Sequence, residues 1–136
     1  MNVRFPVPRE VAFDYLAEPR NRPEWQSSLV RVEGVTGEPR AGQRWVDVTR
    51  PGLRPAMETV ELDRPRRWAE RGSWHGFRAT LALDLAEAPG GCDVAVTMRL
   101  TAGGLRAPVA WVLGAVAPYA VRSDLRRAAA VLARRL

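Results

Sequence analysis

The fold is decided by residues 77–100, FRATLALDLAEAPGGCDVAVTMRL, in which apolar and polar side chains alternate on both sides of a Pro-Gly-Gly break. The apolar side chains that share one face are Phe77, Leu81, Leu83 and Leu85 before the break and Val94, Val96, Met98 and Leu100 after it. Because neighbouring side chains of a strand point to opposite faces, this period predicts two antiparallel strands joined by a tight turn, with one apolar face.

The residues upstream of this pair repeat the pattern in shorter pieces that Gly and Pro separate. Pro8 predicts the start of a helix, because the N–H groups of the first turn have no partner within the helix and the N–H that Pro lacks is not missed there, and Pro19 predicts its end. A short helical turn ending at Trp25 follows. The other predicted strands are residues 1–5, 29–35, 44–49, 56–62 and 67–74. The predicted sheet therefore has about seven antiparallel strands, with two short helices after the first strand.

The residues downstream of Gly103-Gly104 change period. Residues 105–136 contain no Gly/Pro turn cluster and predict one helix of about 48 Å, kinked at Pro118. The first half of this helix is apolar all round, so we expect it to be buried on more than one side. A curved sheet with one apolar face must cover it, and this helix is the element long enough to do so. The sequence thus predicts an α+β domain spanning residues 1–136.

Composition restricts the function classes. All 21 basic residues are Arg, Ile is absent, and the net charge is +6, a bias typical of a G+C-rich genome. The high charge is therefore weak evidence for nucleic-acid binding, for which no motif is present. The single Cys excludes a disulfide framework, and one Cys with one His cannot build the usual zinc site. No signal segment or run of about 20 apolar residues is present, so we expect a soluble, cytoplasmic, bacterial protein.

Several short motifs resemble one known family. They are Val7-Pro8-Arg9-Glu10-Val11 followed by Leu16 and Trp25, Gly42 before a strand, Val60 with Pro65, and Gly90-Gly91-Cys92-Asp93-Val94, which has Cys where Thr is usual. In this order and spacing they resemble the SRPBCC superfamily, also called START/Bet v 1-like. The closest match is its polyketide cyclase/dehydrase and lipid-transport branch. The resemblance covers the whole chain.

The resemblance implies a helix-grip fold, in which a curved sheet wraps around the last helix and leaves an internal apolar cavity. Members bind or transform apolar molecules such as lipids, quinones, sterols and polyketides, and they share no universal catalytic residues. We therefore expect binding, and by extension transport, of a hydrophobic small molecule without metal or cofactor. The alternative is a polyketide cyclase, aromatase or dehydratase. We expect a monomer or homodimer that does not bind nucleic acid.

The apolar candidates for the cavity wall begin with the Trp residues, of which the chain has five. This number is high for a small domain, and ligand cavities are mainly apolar and aromatic. Each Trp taken alone is equally compatible with ordinary core packing. The candidate ligand-binding residues are Trp25, Trp45, Met57, Trp68, Trp74, Phe77, Leu81, Val96, Met98, Trp111 and Leu113.

The polar candidates depend on strand register. If Val60 and Trp68 face inward, the same parity places Glu58 and Glu70 in the cavity, where two carboxyl groups could serve as acid and base. A bulge or the opposite register would place them in solvent instead. His75, near a loop, and Tyr119, after Pro118, are the other candidates for proton transfer. Their alternatives are a surface position and the core, respectively.

The last helix carries a cluster of Arg residues in its second half: Arg122, Arg126, Arg127, Arg134 and Arg135. A basic amphipathic helix is compatible with peripheral contact to a membrane or to a partner subunit. The alternative is a helix face in solvent, stabilised by cations near its carboxyl end. Peripheral contact requires Trp111 or Val112 to be exposed as part of an apolar patch.

Overall fold

The computed structural model describes residues 2–50 and 52–136, except for the side chains of residues 112, 115 and 116. Single 3₁₀ turns precede the second and third α-helices, at Pro19–Asn21 and Gly104–Arg106. In chain order the elements are β1 (Asn2–Phe5), α1 (Arg9–Ala17), α2 (Arg22–Trp25), β2 (Leu29–Glu33), β3 (Arg44–Thr49), β4 (Ala56–Asp63), β5 (Arg67–Trp74), β6 (Phe77–Ala88), β7 (Gly91–Ala102) and α3 (Ala107–Ala133).

The seven strands form one sheet in the order β1-β7-β6-β5-β4-β3-β2. Every neighbouring pair is antiparallel, as the alternating pattern predicted. In the longest hairpin, β6 and β7 pair along their whole length, with Leu81 opposite Met98 and Leu83 opposite Val96. The predicted α+β helix-grip architecture is confirmed, because the apolar face of this sheet packs against α1 and α3.

The core lies between the sheet and the two longer helices. α3 contacts β1 and β7, and the second half of the helix is amphipathic, with Leu125 fully buried and Leu132 nearly so. The largest fully buried apolar side chains contributed by the strands, α1 and α3 are Phe5, Phe13, Leu16, Trp68, Leu83, Val94 and Leu125. Among the described residues, no helix is long and apolar enough to cross a membrane.

The first half of α3 corrects one expectation. Its apolar surface was expected to be buried on more than one side, but Trp111 is 77% exposed and Leu113 is 45% exposed. The sheet covers a single side of the helix here: Ala110 is buried, and a Cβ on Gly114 would lie 3.7 Å from the Cβ of Leu100. Because no second layer covers the opposite side, an all-apolar sequence does not ensure burial.

Candidate functional site

A cavity of about 230 Å³ lies between the apolar face of the sheet and α3. Small residues on its walls, Gly72, Ala79 and Ala117, leave this space unfilled. Gly72 also makes room for the neighbouring Met57, because a Cβ on Gly72 would lie 2.8 Å from the sulfur of Met57. The sheet contributes Met57, Glu70, Gly72, Ala79, Leu81 and Met98 to the lining. The helical side contributes Trp25, Gln26, Ser28, Ala117, Ala120, Val121 and Asp124.

A buried ionic cluster adjoins this cavity through Glu70. The guanidinium of Arg22 is 2% exposed and reaches from α2 to two strands. Its Nη1 donates to Glu70 Oε2 at 2.6 Å, and its Nη2 and Nε donate to the two oxygens of Asp47 at 3.0 and 3.2 Å. Trp45 completes the cluster, because its Nε1 donates to Asp47 at 2.9 Å and its ring lies 5.2 Å from the guanidinium carbon.

The cluster presents one carboxyl group to the cavity, that of Glu70. Burial raises the pKa of Glu70, and the nearby negative charge of Asp47 raises it further, while Arg22 opposes both effects. One cation facing two carboxylates leaves the cluster one positive charge short of balance. A hydrogen-bond donor on a bound molecule would therefore interact favourably with Glu70.

A second carboxyl group, that of Asp124, lines the cavity from α3. The backbone N–H of Ser27 donates to its Oδ1 at 3.2 Å, and the Ser27 hydroxyl donates to the same oxygen at 3.1 Å. Partial burial raises the pKa of Asp124 against these hydrogen bonds. Two carboxyl groups with raised pKa therefore line one cavity, one from the sheet and one from the helix.

We predict that Asp124→Asn flattens the pH dependence of stability. The variant should keep both hydrogen bonds from Ser27, because an amide oxygen accepts them as a carboxylate does. Since the pKa of Asp124 is raised on folding, wild type should lose stability relative to the variant as pH rises from below the unfolded Asp pKa, about 3.9, to neutrality. Urea unfolding across this range measures the difference. Equal pH slopes would contradict the prediction, and Asp63→Asn controls for removing an exposed charge.

The structure separates the Glu58 and Glu70 pair. Thr59 pairs with Glu70 and Glu61 with Ala69, so Val60 is an extra residue in β4. The expectation that Val60 and Glu58 face inward is therefore wrong, because parity was counted through this bulge. Val60 is 40% exposed. Glu58 lies on the outer face, with its carboxylate 3.1 Å from Arg71 and 3.8 Å from Arg44.

The two other polar candidates lie on the surface. His75 is exposed in the two-residue turn between β5 and β6, where its φ of 45° is left-handed, and it packs edge-on against Trp74. Tyr119 is 71% exposed on α3. Neither residue lines the cavity, because the strand ends before His75 and the sheet covers only the opposite side of the helix from Tyr119.

The predicted apolar wall residues fall into three groups. On the cavity wall are Trp25, Met57, Leu81 and Met98. Packed elsewhere are Trp45 in the ionic cluster, Trp68 and Val96 in the core, and Trp74 stacked on Phe77. On the surface are Trp111 and Leu113. The expectation of an inward position is therefore wrong for this last pair, because no second layer of structure encloses the first half of α3.

Sequence reasoning missed Arg22 and Asp124. Arg22 lies in a four-residue helix within a Pro-rich segment, where no periodicity indicates which side chains are buried. Asp124 could have been found, because it is the only carboxylate residue in the stretch 94–136. A lone acidic residue within a long Arg-rich helix indicates a candidate functional residue, and a search restricted to the faces of the strands does not detect it.

The comparisons with known proteins agree with this geometry. A family model described as "Polyketide cyclase / dehydrase and lipid transport" matches residues 1–136. No functionally curated protein matches the chain. Among solved structures, protein MLL2253 from Mesorhizobium loti is 14% identical with a TM-score of 0.78, covering 98% of this chain and 95% of that one.

Two further structures extend the comparison. Ara h 8.0201 is 13% identical with a TM-score of 0.79, covering 98% of this chain and 95% of that one. The di-domain ARO/CYC StfQ from the steffimycin biosynthetic pathway is 15% identical with a TM-score of 0.79, covering 99% of this chain and 50% of that one. At these identities the structures establish the fold alone. The family model carries the assignment: this chain belongs to the polyketide cyclase/dehydrase and lipid-transport branch of the SRPBCC, or Bet v 1-like, superfamily.

Proposed function

We propose that this protein binds a compact hydrophobic small molecule in the cavity between the sheet and α3, and that it acts as a carrier for it. The observation that carries the proposal is the cavity itself, which apolar side chains line on both sides and which Glu70 and Asp124 line with carboxyl groups. Ligand sites commonly combine an apolar wall with a few polar groups that orient the ligand. The family description, which includes lipid transport, supports the same class of ligand.

The size and polarity of the cavity restrict the ligand. Its 230 Å³ lies below the usual range of about 300–1,000 Å³ for small-molecule sites, so the proposed ligand is small or enters only in part. Leu81, Met98 and Val121 offer apolar contact. Because Glu70 and Asp124 contribute acceptor oxygens when ionised, the proposed ligand carries a hydroxyl or other donor on an apolar body.

We predict that filling the cavity abolishes ligand uptake. Ala117→Trp places a large ring on the cavity wall, and its matched control Ala133→Trp places the same ring on an exposed position of the same helix. Native mass spectrometry and organic extraction of the purified protein identify any carried compound, and titration with that compound or a hydrophobic dye measures affinity. The Trp at position 117 should weaken binding at least about tenfold, or about 1.4 kcal/mol. Equal affinity in both variants would contradict the proposal.

The second candidate function is catalysis of the polyketide cyclase or dehydratase type. It is favoured by one observation: two carboxyl groups with raised pKa, Glu70 and Asp124, line the same cavity. A carboxyl group with a raised pKa holds its proton to higher pH than an ordinary one and can transfer it to or from a carbonyl compound. The proposed roles of these two groups are acid and base in an enolisation or dehydration step. They are inferred from the cavity of this protein, because the family has no universal catalytic residues.

We predict that turnover of a linear poly-β-ketone, if present, depends on these groups. Glu70→Gln or Asp124→Asn should lower kcat by about 100-fold or more, because each removes a proton-transfer group. Glu58→Gln is the matched control, because that carboxylate lies on the outer face of the sheet. Product formation followed by mass spectrometry measures the effect. Full turnover in both cavity variants would exclude the catalytic candidate and leave the binding proposal unaffected.

A further inference from the structure

The first half of α3 and the turn before it expose an unusual number of large apolar side chains. We call this surface the apolar end and define it by Leu105, Val109, Trp111 and Leu113, which are 99%, 51%, 77% and 45% exposed. Isolated exposed apolar residues are ordinary, but several large ones on one short segment mark a candidate interaction surface. The sequence of residues 107–121 contains no charged residue.

The rim of the apolar end is basic. The β5–β6 turn lies beside it, because a Cβ on Gly76 would lie 3.7 Å from the Cδ of Arg106. The end of β7 also lies beside the apolar end, because a Cβ on Gly114 would lie 3.7 Å from the Cβ of Leu100. The stretch 100–123, which runs from the end of β7 into α3, contains no Asp or Glu, and its Arg residues are Arg106 and Arg122. An apolar surface with a cationic rim and no carboxylate in this stretch is complementary to an apolar layer bordered by anions.

We infer that the apolar end docks on an anionic lipid surface. Trp111 has the residue type that is enriched at membrane interfaces, and Leu105 and Val109 supply apolar area for the acyl boundary. Each Arg close to an anionic leaflet adds attraction of its own. A second copy of this chain is the less suitable occupant, because a two-fold contact through this surface would bring the same Arg rim against itself.

The apolar end lies next to the cavity along α3. Ala117, Ala120 and Val121, which line the cavity, follow it on the same helix. Docking would therefore bring the cavity close to the lipid surface, where apolar molecules are concentrated. The inference stands on the exposed side chains and the basic rim, and it does not require the proposed ligand-binding function.

Vesicle binding by the full chain tests the inference. Vesicles of phosphatidylcholine alone and of phosphatidylcholine with phosphatidylglycerol are sedimented with the protein at low and high NaCl. We expect binding to the anionic vesicles, weaker binding in high salt, and little binding to the neutral ones. The double variant L105A/W111A should bind the anionic vesicles at least about tenfold more weakly, because it removes the apolar area that enters the interface.

The matched control is V11A/V30A, which truncates two side chains that are each 46% exposed and lie outside the apolar end. It should bind as wild type does. Three outcomes would overturn the inference: no binding to anionic vesicles, equal loss in the two double variants, or a stable dimer in sedimentation equilibrium that L105A/W111A disperses. The last outcome would identify a second copy as the occupant. Ligand uptake measured without lipid separates a failure here from a failure of the proposed function.

Discussion

Replacing Arg22 by Met should lower the free energy of unfolding at neutral pH by about 3–5 kcal/mol. Met is close in length but carries no charge, so Asp47 and Glu70 would stay buried without their cation. Breaking a buried ion pair from one side is costly, because the remaining charges have lost both water and their partner. Urea unfolding measures the loss. It should shrink as pH falls, because burial raises the pKa of Glu70 and its protonated carboxyl group no longer requires the guanidinium.

Two further variants make this prediction decisive. Arg64→Met is the matched control, because Arg64 also binds both oxygens of one carboxylate, that of Asp14, but on the exposed surface. Its effect should be much smaller, since exposed ion pairs contribute little. The triple variant R22M/D47N/E70Q should recover part of the loss, because it removes the uncompensated charges together with the cation. A loss in R22M no larger than in R64M would show that the cluster does not stabilise this fold.

Replacing Gly91 by Ala should destabilise the protein by about 3 kcal/mol and detach β1 from the sheet. A Cβ at this position would overlap the backbone oxygen of Phe5 and lie 3.0 Å from its carbonyl carbon. Backbone atoms cannot turn away as a flexible side chain can, so β1 itself would have to move. Phe5 is fully buried, and β1 pairs with β7 through Phe5 opposite Cys92. Loss of amide protection in β1, measured by hydrogen exchange, would report the detachment.

The adjacent glycine provides the control for this variant. Gly90 has a left-handed φ of 76°, and a Cβ there would meet no atom within 4 Å. Gly90→Ala should therefore cost about 1 kcal/mol from backbone strain and leave β1 in place. Glycine is thus favoured at position 90 by its left-handed backbone conformation and at position 91 by the close approach of β1. Equal effects of the two variants, with β1 still protected in both, would contradict the close approach seen here.

The alternation of apolar and polar residues along each strand was sufficient to predict much of the sheet. It was not sufficient to predict which polar side chains form the site. Leu81, Leu83 and Val94 alternate without interruption, so counting by two placed them correctly in the core. The same count failed in β4, because the bulge at Val60 has no signature in the residue types around it. Glu58 was assigned to the wrong face for that reason. Glu70 was assigned an inward position and is buried, but the partner that holds it there is Arg22.

The sequence by itself determined the order of elements, the antiparallel sheet, the long final helix and the family, because each depends on patterns within short stretches of chain. Only the tertiary structure decided which polar groups meet, since Arg22, Asp47 and Glu70 of the ionic cluster and Asp124 on the cavity wall come from four separate elements. It also decided that Trp111 is exposed, because burial of an apolar helix depends on what covers it. Residue type states what a side chain prefers, and the arrangement of distant elements decides whether that preference is met.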